Sequence, residues 1–370
     1  CNNFHKKMKK YLLLFIPILC TAISAFSQKE KVDQLLLKNY SPVSVYKIPV
    51  TIPEKAKFPL IDMHSHPYAI NEQELGEWVK TMDQMGITRT IILTMATGHQ
   101  FDSLVEAYGK FPGRFELWCG FDYTGYDKPG FGPAAVKELE RCYKKGAKGV
   151  GELGDKGEGE IYSKPVTGFG MHLDDPRMKP LLQKCAELHM PVNIHVAESI
   201  WMYLPSDSTN DGLMNAATWH VNLKPGMLDH NQLVQSLENA VRENPKTMFI
   251  ACHFANCDYD LTKAGNLLDK YPNLFLDISA RYGETSTIPR YMQKFYDKYQ
   301  DRLLYGTDMG MNKHMYQVTF RILETLDEHF YETQLFCYHW ALSGFGLSDK
   351  ILKKLYLTNA QKITDYENKK

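Results

Sequence analysis

The sequence predicts an α/β protein folded as one (β/α)8 TIM barrel, and three observations carry that reading. From residue 58 onward, short apolar or β-branched runs alternate with longer amphipathic stretches. Eight such runs occur, which favours a closed barrel over an open sheet. The 370 residues suit one barrel preceded by a leader.

Strands are expected at 58–64, 88–95, 114–121, 147–152, 190–195, 247–253, 273–278 and 302–308. Between them, apolar residues at three-and-four spacing predict helices that include 72–85, 134–145, 176–188, 232–243 and 261–271. Two connections are longer than joints need to be, 197–229 after the fifth strand and 309–348 after the eighth. Both are expected as long loops on the working face, where they carry Trp201, Tyr203, Trp219, His220, His314, His339 and Trp340.

Composition narrows the class. Apolar residues make up 44% and charged residues 23%, which suits a packed soluble domain. The 43 basic and 43 acidic side chains cancel, so the global positive field that nucleic-acid binding relies on is lacking. A small-molecule substrate is expected instead, with no nucleic-acid partner; a homo-oligomer is compatible with the sequence.

At the N-terminus, Lys9 and Lys10 precede an apolar run over 11–19, and small residues lead to Ala25 and Ser27. This pattern predicts a signal peptide ending at Ser27, with an upstream extension before Met8. Residues 1–27 are thus read as leader, 28–57 as a lead-in segment and 58–370 as the barrel domain. Export, to the periplasm, is the expectation, with no stable membrane insertion once the leader is removed. Cys20 raises a lipoprotein alternative, which bulky Leu19 before it disfavours. Removing the leader leaves Cys119, Cys142, Cys185, Cys252, Cys257 and Cys337, none in a C-x-x-C pair, so no disulfide framework is expected.

The chemistry-bearing residues recur at strand ends. In Asp62-Met63-His64-Ser65-His66 the two imidazoles are two residues apart, a spacing that puts them on one face of a strand. His195, His253 and Asp308 end the fifth, sixth and eighth strands. Each alone is more often a hydrogen-bonded structural residue; their convergence on one rim points to a metal. Imidazoles with a carboxylate suit Zn2+, and Mn2+ or Fe2+ are compatible. Cys252 and Cys257 are read as bystanders, since strand alternation turns Cys252 away from His253.

On these motifs the chain resembles the amidohydrolase superfamily, and within it amidohydrolase family 2, over most of its length after residue 58. The resemblance implies a metal-dependent hydrolase that activates water against a lactone, amide or ester carbonyl. It implies His64, His66 and His195 as metal ligands. Asp308 would touch the metal and handle the proton of the attacking water, and His253 would bind a second ion or stabilise substrate charge. Alternatives are a metal-dependent non-oxidative decarboxylase, a TatD-like hydrolase and a catalytically silent binding barrel.

Glu152, in Gly149-Val150-Gly151-Glu152-Leu153-Gly154, departs from many family 2 members and is similar to the fourth-strand glutamate of TatD-like hydrolases. A bridging role there leaves the count at one or two ions. The same stretch matches G-x-G-x-x-G, but loop sequence follows it where a dinucleotide site needs a helix. Arg281, after the seventh strand, is placed to hold a substrate carboxylate or phosphate. Trp201 and Tyr203 either wall the pocket or pack their loop onto the barrel.

Overall fold

The structure, a computed structural model, describes residues 32–157, 159–335 and 339–365. The expected leader and Cys337 lie outside these residues. The chain divides into a unit ending at Pro42 and one beginning at Val43. Within the first, Val32–Gln34 and Leu37–Asn39 form single 3-10 turns.

The second unit is the barrel. Its strands are β1 (Leu60–Ser65), β2 (Ile87–Leu93), β3 (Phe115–Trp118), β4 (Val150–Asp155), β5 (Val192–Val196), β6 (Phe249–Ala251), β7 (Leu274–Asp277) and β8 (Leu303–Leu304). They pair in parallel as β1-β2-β3 and β4-β5-β6-β7-β8. Two seams close the ring. A parallel bridge joins Cys119 to Val150. At the other seam the Met63 N–H donates to the Tyr305 carbonyl (2.9 Å) and the Asp308 N–H to the His64 carbonyl (2.8 Å).

The helices are α1 (Glu72–Met85), α2 (Gly98–Tyr108), α3 (Phe131–Lys144), α4 (Lys179–Glu187), α5 (Leu213–Trp219), α6 (His230–Glu243), α7 (Leu261–Lys270), α8 (Tyr282–Thr285), α9 (Pro289–Tyr299), α10 (Lys313–Glu324), α11 (Asp349–Lys353) and α12 (Asn359–Thr364). The first shows how local sequence sets these elements. Asn71 caps α1 by accepting the Glu74 N–H at 3.0 Å, a contact worth about 1 kcal/mol. Leu75, Trp78, Met82 and Met85 form its buried stripe, and Gly86 ends it in the left-handed region (φ 78°).

Inside the ring, Ile61, Met63, Ile91, Leu93, Trp118, Ile250, Phe275 and Leu304 pack together, with Ala360 and Ile363 of α12 closing the base. Gly149 makes room for this core, since a Cβ there would fall 2.3 Å from the Trp118 ring.

All eight expected strands and five named helices are present, the helix over 72–85 with the expected ends and the others with shifted ones. The stretch 309–348 is not one long loop, because it contains the 12-residue helix α10, capped by Asn312. Its buried face, Met315, Tyr316, Thr319, Phe320, Ile322 and Leu323, recurs at three-and-four spacing, so the helix was legible in the sequence. The loop after β5 holds only a 3-10 turn at Ile200–Tyr203 and α5. The G-x-G-x-x-G stretch is β4 itself, followed by the short strands Glu160–Ile161 and Gly168–Phe169 and no helix. Among the described residues, Cys119, Cys142, Cys185, Cys252 and Cys257 are free and buried. No described helix is long and apolar enough to cross a membrane.

Candidate metal centre

The site is built where β1 meets β8. Pairing between β1 and β2 slips by one residue, from Asp62 opposite Thr90 to Ser65 opposite Ile92. A bulge of this kind re-aims side chains beside active sites. Met63 packs into the interior core, and the slip lets the next residue, His64, face the centre as well. Asp62 ties the two strands together: it accepts from the Thr307 N–H (3.0 Å), the Thr307 hydroxyl (2.7 Å), the Tyr316 hydroxyl (3.0 Å) and the His64 N–H (3.2 Å). Gly306 permits the approach, since a Cβ there would lie 2.6 Å from that of His64.

Three imidazoles are fixed through Nδ1. His64 donates to Asp277 Oδ2 at 2.9 Å, His66 to the Leu93 carbonyl at 3.0 Å and His253 to the Ser279 carbonyl at 2.8 Å. These acceptors set the tautomer, leaving an Nε2 lone pair on each ring. Those lone pairs face carboxylates. His66 Nε2 lies 3.2 Å from Asp308 Oδ1 and 3.5 Å from Glu152 Oε2. His64 Nε2 lies 3.6 Å from both Asp308 Oδ1 and Glu152 Oε1, and His253 Nε2 is 3.6 Å from the same Glu152 oxygen. His195 reaches Glu152 Oε1 through Nδ1 at 3.1 Å, while its Nε2 lies 3.7 Å from Glu198 Oε2.

Lone pairs pointed at carboxylates are repulsive unless a proton or a cation sits between them. The buried Nε2 atoms of His64 and His195 have no hydrogen-bond partner. Donor atoms of His64, His66 and Asp308 lie within 4.8 Å of one another, as do those of His64, Glu152, Cys252 and His253. This donor set fits a divalent ion.

The electrostatics agree. Burial would lower the His64 pKa, but Asp277, Asp308 and Glu152 outweigh it and push the ring up to about 10. Burial raises Glu152, yet His195, His253 and His64 hold it well below the usual carboxylate range. Asp308 is lowered in the same way, against burial, by His66 and His64. Such a site attracts a cation.

All six proposed chemical residues, His64, His66, Glu152, His195, His253 and Asp308, therefore meet in one cluster. His195 joins it by way of Glu152 and stands outside both groups of mutually close donors. A cavity of about 260 Å3 opens above it, walled by His195, His253, Asp308, Arg281, Lys156 and Trp219 among others. Arg281 lines this cavity while its guanidinium donates to Asn256 Oδ1 (3.0 and 2.5 Å) and the Ala280 carbonyl (3.0 Å).

Trp201 and Tyr203 do not line it. The Trp201 indole donates to Asp211 Oδ1 (2.5 Å), and the Tyr203 hydroxyl accepts the Glu198 N–H (3.2 Å), so both serve to hold their own loop. Between them, Met202 is the residue that faces the cavity, as a 3-10 turn allows. Cys252 is also corrected. Alternation ends at Ala251, His253 takes φ 57°, and both side chains turn inward.

Several residues of the site went unassigned in the sequence. Asp277 and Ser279 orient His64 and His253, and Asp277 ends its strand while His195 stands one residue from the end of its own, so a polar residue at a strand end was a usable signal. The Tyr68 hydroxyl donates to the Asp308 carbonyl at 2.5 Å. Lys156 ion-pairs with Glu198, joining the β4 and β5 loops over the site.

A family model described as amidohydrolase (Amidohydro_2) matches residues 61–363. The chain belongs to the amidohydrolase family. No curated protein matches the sequence. Solved structures share this amidohydrolase's fold at low identity. An uncharacterized TIM-barrel protein from Bordetella bronchiseptica is 13% identical with a TM-score of 0.52, covering 84% of this chain and 99% of that one. A 2,6-dihydroxybenzoate decarboxylase complexed with 2,6-dihydroxybenzoate is 17% identical (TM-score 0.52, 84% and 99%). A 5-carboxyvanillate decarboxylase from Novosphingobium aromaticivorans, complexed with manganese and a nitrobenzoic acid, is 13% identical (TM-score 0.50, 86% and 100%).

Proposed function

We propose that this amidohydrolase is a metal-dependent hydrolase that activates water against the carbonyl of a small lactone, amide or ester. The observation that carries the reading is Asp308. Its carboxylate lies 3.2 and 3.6 Å from the lone-pair nitrogens of His66 and His64 and also lines the cavity. His64, His66, Glu152, His195, His253 and Asp308 would together hold one or two divalent ions, since the Glu152 carboxylate faces all four imidazoles. Zn2+ suits the imidazole-rich set, and Mn2+ or Fe2+ fits the same donors. Bound there, such an ion lowers the pKa of water toward neutrality and polarises a carbonyl.

The side chains supply the rest. The Asp308 carboxylate, kept ionised by its neighbours, takes the proton of the attacking water and returns it to the leaving group. Asp277 and Ser279 keep His64 and His253 in the tautomer whose Nε2 faces the centre. Arg281 and Lys156, with Met202, Met309, Met315 and Trp219, offer charge and apolar surface to a substrate.

Two cationic residues in the cavity also favour a second reading, decarboxylation of a carboxylic acid, the reaction named for two of the structural neighbours. The test is to strip the purified chain with chelator, add back Zn2+ or Mn2+, and assay lactone, amide and ester panels beside carbon dioxide release. Metal-restored hydrolysis supports the proposal. Carbon dioxide release without hydrolysis transfers the case to the second reading, and a chain that binds neither ion nor substrate is a silent barrel. Export to the periplasm completes the proposal, on the strength of Lys9, Lys10 and the apolar run over 11–19. Mass spectrometry of the periplasmic form should find a chain beginning at Gln28.

A further inference from the structure

Cys252 has no part in the reaction just described, yet its thiol lies among the ligands. Its Sγ and the donor atoms of His64, Glu152 and His253 all lie within 4.8 Å of one another, and all four residues are buried. Cys119, Cys142, Cys185 and Cys257 are equally free and buried, but none joins a group of ligating atoms among the described residues. The backbone accounts for the difference. Cys252 is extended (φ −63°, ψ 153°), and His253 to Asn256 all take positive φ, so two consecutive side chains are delivered to the same interior. A second, independent observation points to a ligand: His64 Nε2 is buried, has no hydrogen-bond partner and belongs to this same group.

The thiol is also held in place. Its S–H donates to Asn193 Oδ1 at 2.8 Å, and the Asn193 amide donates to Asp277 Oδ2 at 3.4 Å, the oxygen that orients His64. The sulfur is thus fixed by the same network that aims the imidazoles.

We propose that Cys252, with His64, Glu152 and His253, forms a soft-donor cation site that gives this centre a preference for thiophilic ions, Zn2+, Co2+ and Cd2+, over Mn2+. Thiolate sulfur selects such ions, whereas Mn2+ gains little from it. On binding, the S–H bond breaks, a sulfur–metal bond forms and the proton leaves to buffer, with no change of oxidation state. The inference rests on the reading of the neighbouring histidines as metal ligands, and its test separates the two.

The test loads chelator-stripped full-length chain with Co2+ alone and records its near-ultraviolet and visible spectrum. The wild-type chain should show thiolate-to-cobalt charge-transfer absorption, absent from Cys252→Ser. Cd2+ affinity should fall by about tenfold or more in the variant while Mn2+ affinity stays within about twofold. Because the wild-type spectrum needs no variant, a folding defect in Cys252→Ser leaves the test intact. Bound Co2+ without the charge-transfer band overturns the role of Cys252 and leaves the metal centre standing. Failure to bind Co2+ at all overturns both.

Discussion

The two ends of the barrel differ in a way that volume does not reveal. A hollow of about 550 Å3 lies at the strand N-termini, lined by residues such as Lys57, Phe58, Ile87 and Arg114, and is twice the size of the 260 Å3 cavity at the other end. Yet the ion pairs at the base are ordinary ones, Arg114 to Asp83 at 2.7 Å and Lys57 to Asp349 at 2.6 Å. The smaller cavity holds the converging imidazoles and carboxylates. The larger space is therefore the wrong guide; opposed lone pairs and buried charge are the right one.

Backbone strain divides the ends in the same way. Before the strands, left-handed positions fall mostly on glycine, at Gly86, Gly113 and Gly146, with His189 the exception. After the strands they fall mostly on other residues, Met95, Ala197, His253, Ala280 and Asp308, with Gly98 and Gly157 among the exceptions. A side chain in this region costs of order 1 kcal/mol, and such strain gathers at functional sites.

The sharpest way to break this contrast is Asp308→Asn, which should lower turnover by about 10²- to 10⁴-fold while metal stays largely bound. Arg114→Ala, at the larger hollow, should leave turnover within about twofold. Steady-state kinetics on the two variants decide between the ends.

A pH titration of stability probes the polar support beneath the tips. Burial pushes the His230 pKa down to about 4, while its ring donates to the Asn256 carbonyl at 2.8 Å. An unfolded histidine titrates near 6.5. Between pH 4 and 6.5 the unfolded chain therefore binds more protons, so this contribution is present above pH 6.5 and lost as pH falls. The loss is up to about 3 kcal/mol. Urea midpoints measured across that range should fall on acidification, with a shallower slope in His230→Gln.

Gly306→Ala should cost about 2 kcal/mol and weaken metal binding, because the added methyl meets His64. Thermal unfolding and metal titration would report both effects. The smallest effect is expected for Ala280→Gly, where relief of the left-handed strain is partly offset by unfolded-state entropy. Stability should rise by less than about 1 kcal/mol in denaturant unfolding.

The barrel was legible because its signal is repeated. Each of eight apolar runs independently predicts a strand, and the strand-end residues His64, His66, His195, His253 and Asp308 needed only the ring to bring them together. What escaped the sequence depends on local breaks in regularity. Strand alternation turns Cys252 outward, but the left-handed turn at His253 cancels that rule. Trp201 and Tyr203 were placed at the mouth by their loop, yet a 3-10 turn aims Met202 there instead. Lys156 and Glu198 meet only because two loops fold over the same rim, which no spacing within either loop encodes.

The most direct test is anomalous diffraction from crystals of the chain loaded with Zn2+ or Mn2+. A peak about 2.0–2.3 Å from His64 Nε2, His66 Nε2 and an Asp308 carboxylate oxygen is the expected result. A loaded crystal with its ion elsewhere, or with no ion at this cluster, would contradict it.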